Sequence, residues 1–168
     1  MKKFAFVFTL IVLATAMAGA AFTSVNIFPD FKSNDLEGNE VSQEIFTSKK
    51  LTMINFWGTY CPPCIEEMPE LGELGRSMPE GAQLVGIVID VGDKRTLEKA
   101  RQITQKAKAD FPNLLVSREM APYLQTIAAV PTTIFVDAQG NVVGKPIVGS
   151  RSGKAYREEV EKALKLLP

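Results

Sequence analysis

Two cysteines, Cys61 and Cys64, are the residues of this sequence whose type and spacing point to chemistry. They are the only cysteines in 168 residues, so they do not belong to a larger disulfide framework. A spacing of three in the first turn of a helix places both sulfurs on one face, within reach of a disulfide. The pair is therefore either a redox couple or part of a metal site.

Histidine is absent from the sequence, and this limits the kinds of active site and metal site that the chain can form. Without imidazole, Ser-His-Asp hydrolysis, Cys-His proteolysis and His-ligated zinc or copper sites are excluded within one chain. Structural zinc usually takes four protein ligands, and two thiolates supply only half of them. A dimer that shares four cysteines and a copper chaperone that uses both thiolates remain alternatives. The redox reading is favoured, with no metal, no bound cofactor and a monomeric protein expected.

The bulk composition indicates a globular domain with a real core, since 46% of residues are apolar and 23% are charged. Lys plus Arg equals Asp plus Glu at 19 each, which gives no indication of nucleic-acid binding. Apolar runs that read as strands alternate with helical patterns after a short hairpin near residues 31–41. They include a helix around residues 119–127 and a strand over residues 141–148, and Asp93 is expected to cap the helix that follows it. This order predicts an α/β domain with a mixed central sheet flanked by helices.

The N-terminus has the layout of an export signal. Lys2 and Lys3 precede an uncharged apolar run, and Ala18-Gly19-Ala20 fits a cleavage site. Residues 4–22 are also long enough to span a bilayer as an uncleaved anchor, in which case Lys2 and Lys3 would stay cytoplasmic. We therefore divide the chain into residues 1–22, a signal peptide or anchor, and residues 25–168, a domain that works outside the cytoplasm.

The cysteines lie where the buried strand Leu51–Trp57 gives way to a helix predicted to run to about Ser77. Unpaired amides and the positive end of the helix dipole stabilise a thiolate at this position. Cys61 is expected to be the exposed nucleophile, and Cys64 the resolving thiol that closes the disulfide. Pro62 and Pro63 fall in the first turn, where a missing N–H costs little, and they stiffen the loop.

The run Trp-Gly-Thr-Tyr-Cys-Pro-Pro-Cys-Ile-Glu-Glu-Met-Pro-Glu-Leu, with Val130-Pro131-Thr132, resembles the TlpA/ResA-type extracytoplasmic thioredoxins. The resemblance covers about residues 28–168 and implies a thioredoxin-like fold with a central insertion near residues 90–117. It implies a thiol–disulfide oxidoreductase with protein disulfide substrates, such as apocytochrome c during cytochrome c maturation or a methionine sulfoxide reductase. It also implies a membrane electron donor of the thiol–disulfide type.

Pro62 and Pro63 also stand where the most oxidising enzymes of this kind carry a histidine, so we expect a reductase. A disulfide-forming oxidant on the same fold is the alternative. A thiol peroxidase would carry threonine three residues before its reactive cysteine, where this chain has Gly58. A pure binding module is disfavoured by the intact cysteine pair.

The resemblance also assigns roles to Glu67 and to the residues around the cysteine loop. It matches Glu67 to a glutamate that tunes cysteine acidity, and a buried carboxylate there could shuttle the proton of Cys64. The alternative is that Glu67 is an ordinary solvent-exposed glutamate of the helix. Asn55 stands where ordinary thioredoxins carry a buried aspartate, which shifts proton transfer towards Glu67.

The predicted substrate-binding residues flank the cysteine loop. In thioredoxin-like folds the proline that matches Pro131 is cis and its neighbouring backbone pairs with substrate; without the resemblance it would read as an ordinary strand-start proline. Beside the cysteines, aromatic residues are expected to shape the docking surface. The complete predicted set is Trp57, Tyr60, Pro62, Pro63, Val130 and Pro131.

Overall fold

The computed structural model describes residues 27, 28 and 30–168. The proposed signal or anchor, residues 1–22, lies outside these residues. Within the part of the chain that is described, no helix is both long enough and apolar enough to cross a membrane.

Within the described residues, seven strands, a 3₁₀ turn and four helices follow one another. The strands are β1 (Lys32–Asn34), β2 (Glu40–Ser42), β3 (Leu51–Trp57), β4 (Ala82–Val88), β5 (Asn113–Leu115), β6 (Thr132–Asp137) and β7 (Ile147–Val148). The 3₁₀ turn is Gln43–Ser48, and the helices are α1 (Pro62–Arg76), α2 (Lys94–Ala107), α3 (Ala121–Leu124) and α4 (Gly153–Leu164).

Strand β3 occupies the centre of a five-stranded mixed sheet of order β5-β4-β3-β6-β7. It pairs parallel with β4 and antiparallel with β6, and all seven of its residues are buried. A strand covered on both faces reads as a continuous apolar run, which explains why its ends are predictable from sequence. Strands β1 and β2 form the separate N-terminal hairpin.

The two faces of the sheet carry two distinct cores, because side chains alternate along each strand. One core joins Met53 and Trp57 of β3 to α1, α2 and α4. The other joins Ile54 and Phe56 to the N-terminal segment, the 3₁₀ turn and the α3 region. Helix α1 therefore packs against the face to which β3 also presents Asn55.

Local signals fix where the helices begin. Asp93 starts α2 with a full capping box, in which its carboxylate accepts from Thr96 N–H at 2.7 Å. Ser152 caps α4 and Ser42 caps the 3₁₀ turn through their hydroxyl oxygens. Cys61 occupies the corresponding position before α1, so a sulfur atom accepts the hydrogen bond that a capping oxygen would usually accept.

Two predicted elements are shorter than expected. The helix expected around residues 119–127 is α-helical only in α3, and the chain then continues in tighter i→i+3 turns through Ile127. The strand expected over residues 141–148 is reduced to β7 and one bridge from Val142 to Val136. Gly144, with φ of 74°, and Pro146, which lacks an N–H donor, interrupt the pairing between them.

Gly86 of β4 leaves room for the side chains of Trp57 and Asn113 to meet over the backbone of this strand. Trp57 Nε1 donates to Asn113 Oδ1 at 3.0 Å, and both residues are buried. A Cβ at Gly86 would lie 2.1 Å from that oxygen and 3.2 Å from Trp57 Nε1. Only glycine therefore leaves room for this hydrogen bond.

We predict that Gly86→Ala lowers the free energy of unfolding by about 1 to 3 kcal/mol. Overpacking displaces Asn113, and the Trp57 indole N–H then loses its hydrogen-bond acceptor. Urea denaturation measures the change. Gly92→Ala is the control, since nothing lies within 4 Å of a Cβ at that position. Equal stabilities of the two variants would contradict the close approach.

Candidate active site

Cys61 and Cys64 meet at the point where the loop after β3 enters α1. They form a disulfide, with Cα atoms 5.3 Å apart. The Cys64 N–H donates to Cys61 Sγ at 3.3 Å, so the first free amide of the helix is aimed at the outer sulfur. Cys61 retains 5% of its accessible surface and Cys64 none. An attacking sulfur therefore reaches Cys61 first.

The Val130–Pro131 peptide bond is cis and lies against the disulfide. Cys61 Sγ is 3.5 Å from the carbonyl oxygen of Val130. Pro131 is buried and Val130 is half-buried, whereas Pro62 and Pro63 are exposed. Tyr60 is also exposed, at 62%. The structure thus places five of the six predicted substrate-binding residues at the rim around Cys61.

A groove of about 220 Å³, lined mostly by apolar side chains, adjoins this rim. It is lined by Tyr60, Ile89, Leu124, Ile127, Ala128, Ala129 and Val130. The groove ends at the same Val130 whose carbonyl contacts Cys61.

Trp57 is the predicted substrate-binding residue that the structure assigns to the core instead. Its side chain is fully buried, and its indole N–H is engaged by Asn113. Because Trp57 is the last residue of β3 and points to the face covered by α1, it has no surface to offer a substrate. Its contribution is to the packing beneath the cysteine loop.

The loop itself is fastened to the end of the neighbouring strand by Asp90. Both carboxylate oxygens of Asp90 accept from the Thr59 backbone N–H, at 2.9 and 3.1 Å, and Oδ2 also accepts from the Thr59 hydroxyl at 2.7 Å. Thr59 is buried, so these bonds satisfy polar groups that water does not reach. They hold the backbone two residues before Cys61.

Glu67 is buried with 5% exposure, one helical turn after Cys64, rather than solvated. Its Oε1 accepts from Asn55 Nδ2 at 3.1 Å. Its Oε2 accepts from the Tyr156 hydroxyl at 3.0 Å and from the Arg151 backbone N–H at 3.1 Å. Three donors from three different elements of the fold therefore converge on one carboxylate.

Burial raises the pKa of Glu67 above its ordinary value, and this effect outweighs the hydrogen bonds from Tyr156, Arg151 and Asn55 that favour the charged form. Burial likewise raises the pKa of Tyr156, which the nearby carboxylate raises further. The phenol therefore stays protonated and able to donate. A carboxyl group with a raised pKa beside a redox cysteine is suited to accept and return a proton.

Sequence reasoning missed Tyr156, Thr133 and the Arg151 amide, which complete the surroundings of Glu67. Tyr156 is readable from sequence only as part of an apolar helix stripe, although a buried tyrosine hydroxyl usually needs a polar partner. Thr133 lies in β6 directly opposite Asn55 of β3, and both side chains are buried. The available signal is Asn55, an amide within the mostly apolar run of β3.

No group of three or more His, Cys, Asp or Glu side chains within residues 27, 28 and 30–168 is arranged to hold a metal ion.

The raised pKa of Glu67 predicts a specific pH dependence of stability. As pH rises from the ordinary glutamate pKa of 4.5 towards the higher native value, the unfolded chain loses this proton first. The native state then binds more protons, so the stability contributed by Glu67 falls across that window and levels off above it. We expect the difference in unfolding free energy between the native sequence and Glu67→Gln to decline over this range.

Urea denaturation of the oxidised protein at a series of pH values measures this difference. Glu66→Gln, on the exposed side of the same helical turn, is the matched control. A difference that stays constant, or that rises with pH, would show that burial does not govern the Glu67 carboxyl.

Comparisons with known proteins agree with this geometry. Residues 25–145 match the AhpC/TSA family. The thiol-disulfide oxidoreductase ResA of Geobacillus kaustophilus (strain HTA426) is 30% identical over 138 residues, which cover 81% of this chain and 73% of that protein. The ResA of Bacillus anthracis is 27% identical over 98% of both chains.

Solved structures show the same architecture. A thiol:disulfide interchange protein of the thioredoxin family from Chlorobium tepidum TLS superposes with a TM-score of 0.68 at 26% identity, over 81% of this chain and 94% of that chain. The predicted thioredoxin-like fold is therefore confirmed. The chain belongs to the AhpC/TSA family and is a thiol–disulfide oxidoreductase of the ResA type.

Proposed function

We propose that this protein reduces disulfides in extracytoplasmic proteins through a mixed disulfide at Cys61, which Cys64 resolves. The observation that carries this assignment is the unequal placement of the two sulfurs. Cys61 caps α1, is the more exposed of the pair and contacts the carbonyl before the cis proline, whereas Cys64 is fully buried. The extracytoplasmic location rests on the signal-like pattern of residues 1–22.

The exchange needs no further reactant for one turnover. The Cys61 thiolate attacks one sulfur of the substrate disulfide, whose S–S bond breaks and releases the other sulfur as a thiolate. Cys64 then loses its proton and attacks Cys61 Sγ, forming the Cys61–Cys64 bond and releasing the second substrate thiolate. Two electrons and two protons thus pass from protein to substrate, and a membrane donor of the thiol–disulfide type would restore them.

The electrostatics of the site favour the reducing direction. Strong oxidants of this class have a stabilised reduced form, which requires groups that favour a thiolate. Here the loop carries Pro62 and Pro63 in place of any charged residue, and the acidic group nearest in sequence on the buried face is Glu67. A carboxylate near Cys64 disfavours a thiolate by like-charge repulsion. The cysteine pair should therefore give up electrons readily.

The rim formed by Tyr60, Pro62, Pro63, Val130 and Pro131 is the proposed substrate surface. It supports an extended polypeptide that presents its cysteine to Cys61 and an apolar neighbour to the groove beside Tyr60. Apocytochrome c and a methionine sulfoxide reductase are substrates of this kind. In the same scheme Glu67 accepts the proton of Cys64 and is a candidate catalytic residue.

The reduction potential of the Cys61–Cys64 couple tests the direction of electron flow. Equilibration of the purified protein with dithiothreitol or glutathione buffers is expected to give a value near or below about −250 mV. A value near about −120 mV would make the protein a disulfide-forming oxidant. If no two-electron couple is found, stoichiometric copper retained after purification would favour the chaperone alternative.

Trapping variants test the order of the two cysteines. Cys64→Ser should accumulate a mixed disulfide with a disulfide-containing protein, because nothing displaces the substrate from Cys61. Cys61→Ser, the matched control, should trap at least about tenfold less, because Cys64 is buried and reacts slowly. Non-reducing electrophoresis and mass spectrometry quantify the adducts. Equal trapping by the two variants would refute the assigned order.

A further inference from the structure

Four buried side chains, one of which is Glu67, form a closed ring of hydrogen bonds. Asn55 Nδ2 donates to Glu67 Oε1 at 3.1 Å and to Thr133 Oγ1 at 3.1 Å. The Thr133 hydroxyl donates to the Tyr156 oxygen at 3.4 Å, and the Tyr156 hydroxyl donates to Glu67 Oε2 at 3.0 Å. The ring joins β3, β6, α4 and α1.

The members of the ring differ in whether they can reverse their role. A hydroxyl both donates and accepts, so Thr133 and Tyr156 can turn either way. The amide of Asn55 cannot, because its Nδ2 only donates. Its Oδ1 is buried and has no hydrogen-bond partner within the described residues. Rotating the amide to present Oδ1 to Glu67 would break both Nδ2 bonds.

These differences decide how the ring meets each protonation state of Glu67. The carboxylate accepts from Asn55, Tyr156 and the Arg151 N–H, as observed. A proton on Oε2 needs an acceptor, and the Tyr156 oxygen supplies one if its own hydrogen turns towards Thr133. The Thr133 hydrogen turns away from Tyr156 in that case. The Glu67 carboxyl is then hydrogen-bonded in both states without moving a heavy atom, which matters because an unpaired buried polar group costs more than a bond contributes.

The charged and titratable groups around Glu67 come from several elements. Tyr156 of α4 and the Arg151 guanidinium of the preceding loop act on it, and the side chain of Arg151 is exposed and bonded to the carbonyls of Gly149 and Ser150. Strands β3 and β6 present the neutral Asn55 and Thr133. On α1 itself, Cys64 lies one turn before Glu67, and the exposed Glu70 lies one turn after it and accepts from the Gly153 N–H.

We propose that Tyr156 is a positioning residue that holds Glu67 in either protonation state, so that Glu67 can take the proton of Cys64 and return it in each turnover. This inference rests on the proposed function, since it requires Glu67 to act on Cys64. The proton passes from the Cys64 thiol to the Glu67 carboxylate. The Cys64 thiolate then forms the S–S bond to Cys61, the substrate sulfur leaves as a thiolate, and Glu67 gives up its proton to that leaving group or to water.

Single-turnover reduction of dithiobis(nitrobenzoate) by the full-length reduced protein separates the two chemical steps. The first coloured thiolate reports the attack by Cys61, and the second reports the attack by Cys64. Removing the Tyr156 hydroxyl removes a hydrogen bond to the charged carboxylate. In Tyr156→Phe the pH midpoint of the second release should therefore rise by about one pH unit, the size expected for one charge-assisted hydrogen bond.

Tyr123→Phe is the matched control, because it removes a half-buried tyrosine hydroxyl that lies outside the ring. In a Glu67→Gln background, Tyr156→Phe should cause no further shift, because Tyr156 acts through Glu67. NMR titration of the Glu67 carboxyl carbon in the oxidised protein should show the same upward shift, which a merely structural role would not produce.

The outcomes separate the two levels of the proposal. If Glu67→Gln leaves the second release unchanged, Glu67 has no part in the reaction and both its proposed role and that of Tyr156 fail. If Glu67→Gln slows this release but Tyr156→Phe behaves like Tyr123→Phe, the role of Tyr156 alone is overturned. If Tyr156→Phe does not fold, fluorotyrosine at position 156 replaces it. Its more acidic hydroxyl should lower the Glu67 midpoint, and an unchanged or higher midpoint would reject the proposal.

Discussion

Strand β3 must remain buried on both faces, and the position of every group in the active site depends on this constraint. Its carboxyl end delivers Trp57 to the core and carries the chain into the loop that starts α1. Since the strand is central, β4 supplies Gly86 to admit the Trp57–Asn113 bond, and β6 begins directly after the cis proline. The cysteines follow directly in that loop and the first turn of α1, where Cys61 alone of the two retains accessible surface.

Burial of Asn55 and Glu67 beneath the cysteines follows from the same constraint. Side chains alternate along β3, so the residue two before Trp57 faces α1. The neutral amide of Asn55 avoids the desolvation cost that a buried charge would have at this position. It donates to the carboxyl group of Glu67 on α1. The charge that ordinary thioredoxins place on the strand is thus placed on the helix in this chain.

Much of the fold and of the site could be predicted from local patterns. The apolar run Leu51–Trp57, the capping residue Asp93 and the cysteines at a strand–helix junction each act through near neighbours in sequence. Tyr156 and Arg151 could not be assigned in this way, because they reach Glu67 across 89 and 84 residues of chain. Their role depends on how α4 packs against α1, which no local pattern specifies.

For Trp57 the prediction and the structure differ. Its place beside the cysteines predicts a surface position, because aromatic residues often contact partners, but its side chain is fully buried. Its position at the end of a strand with alternating faces already placed it inward. The short α3 and β7 differ from prediction for backbone reasons, at Gly144 and Pro146 in the second case. Propensity locates such elements but does not set their length.

The contribution of α4 to the active site has a consequence for how the chain matures. Tyr156 and the Arg151 N–H lie 89 and 84 residues beyond Glu67 in the chain. Until α4 docks, the carboxyl group of Glu67 therefore lacks two of its three donors, even when the cysteine pair is already closed. The C-terminal segment thus completes the surroundings of the thiols last.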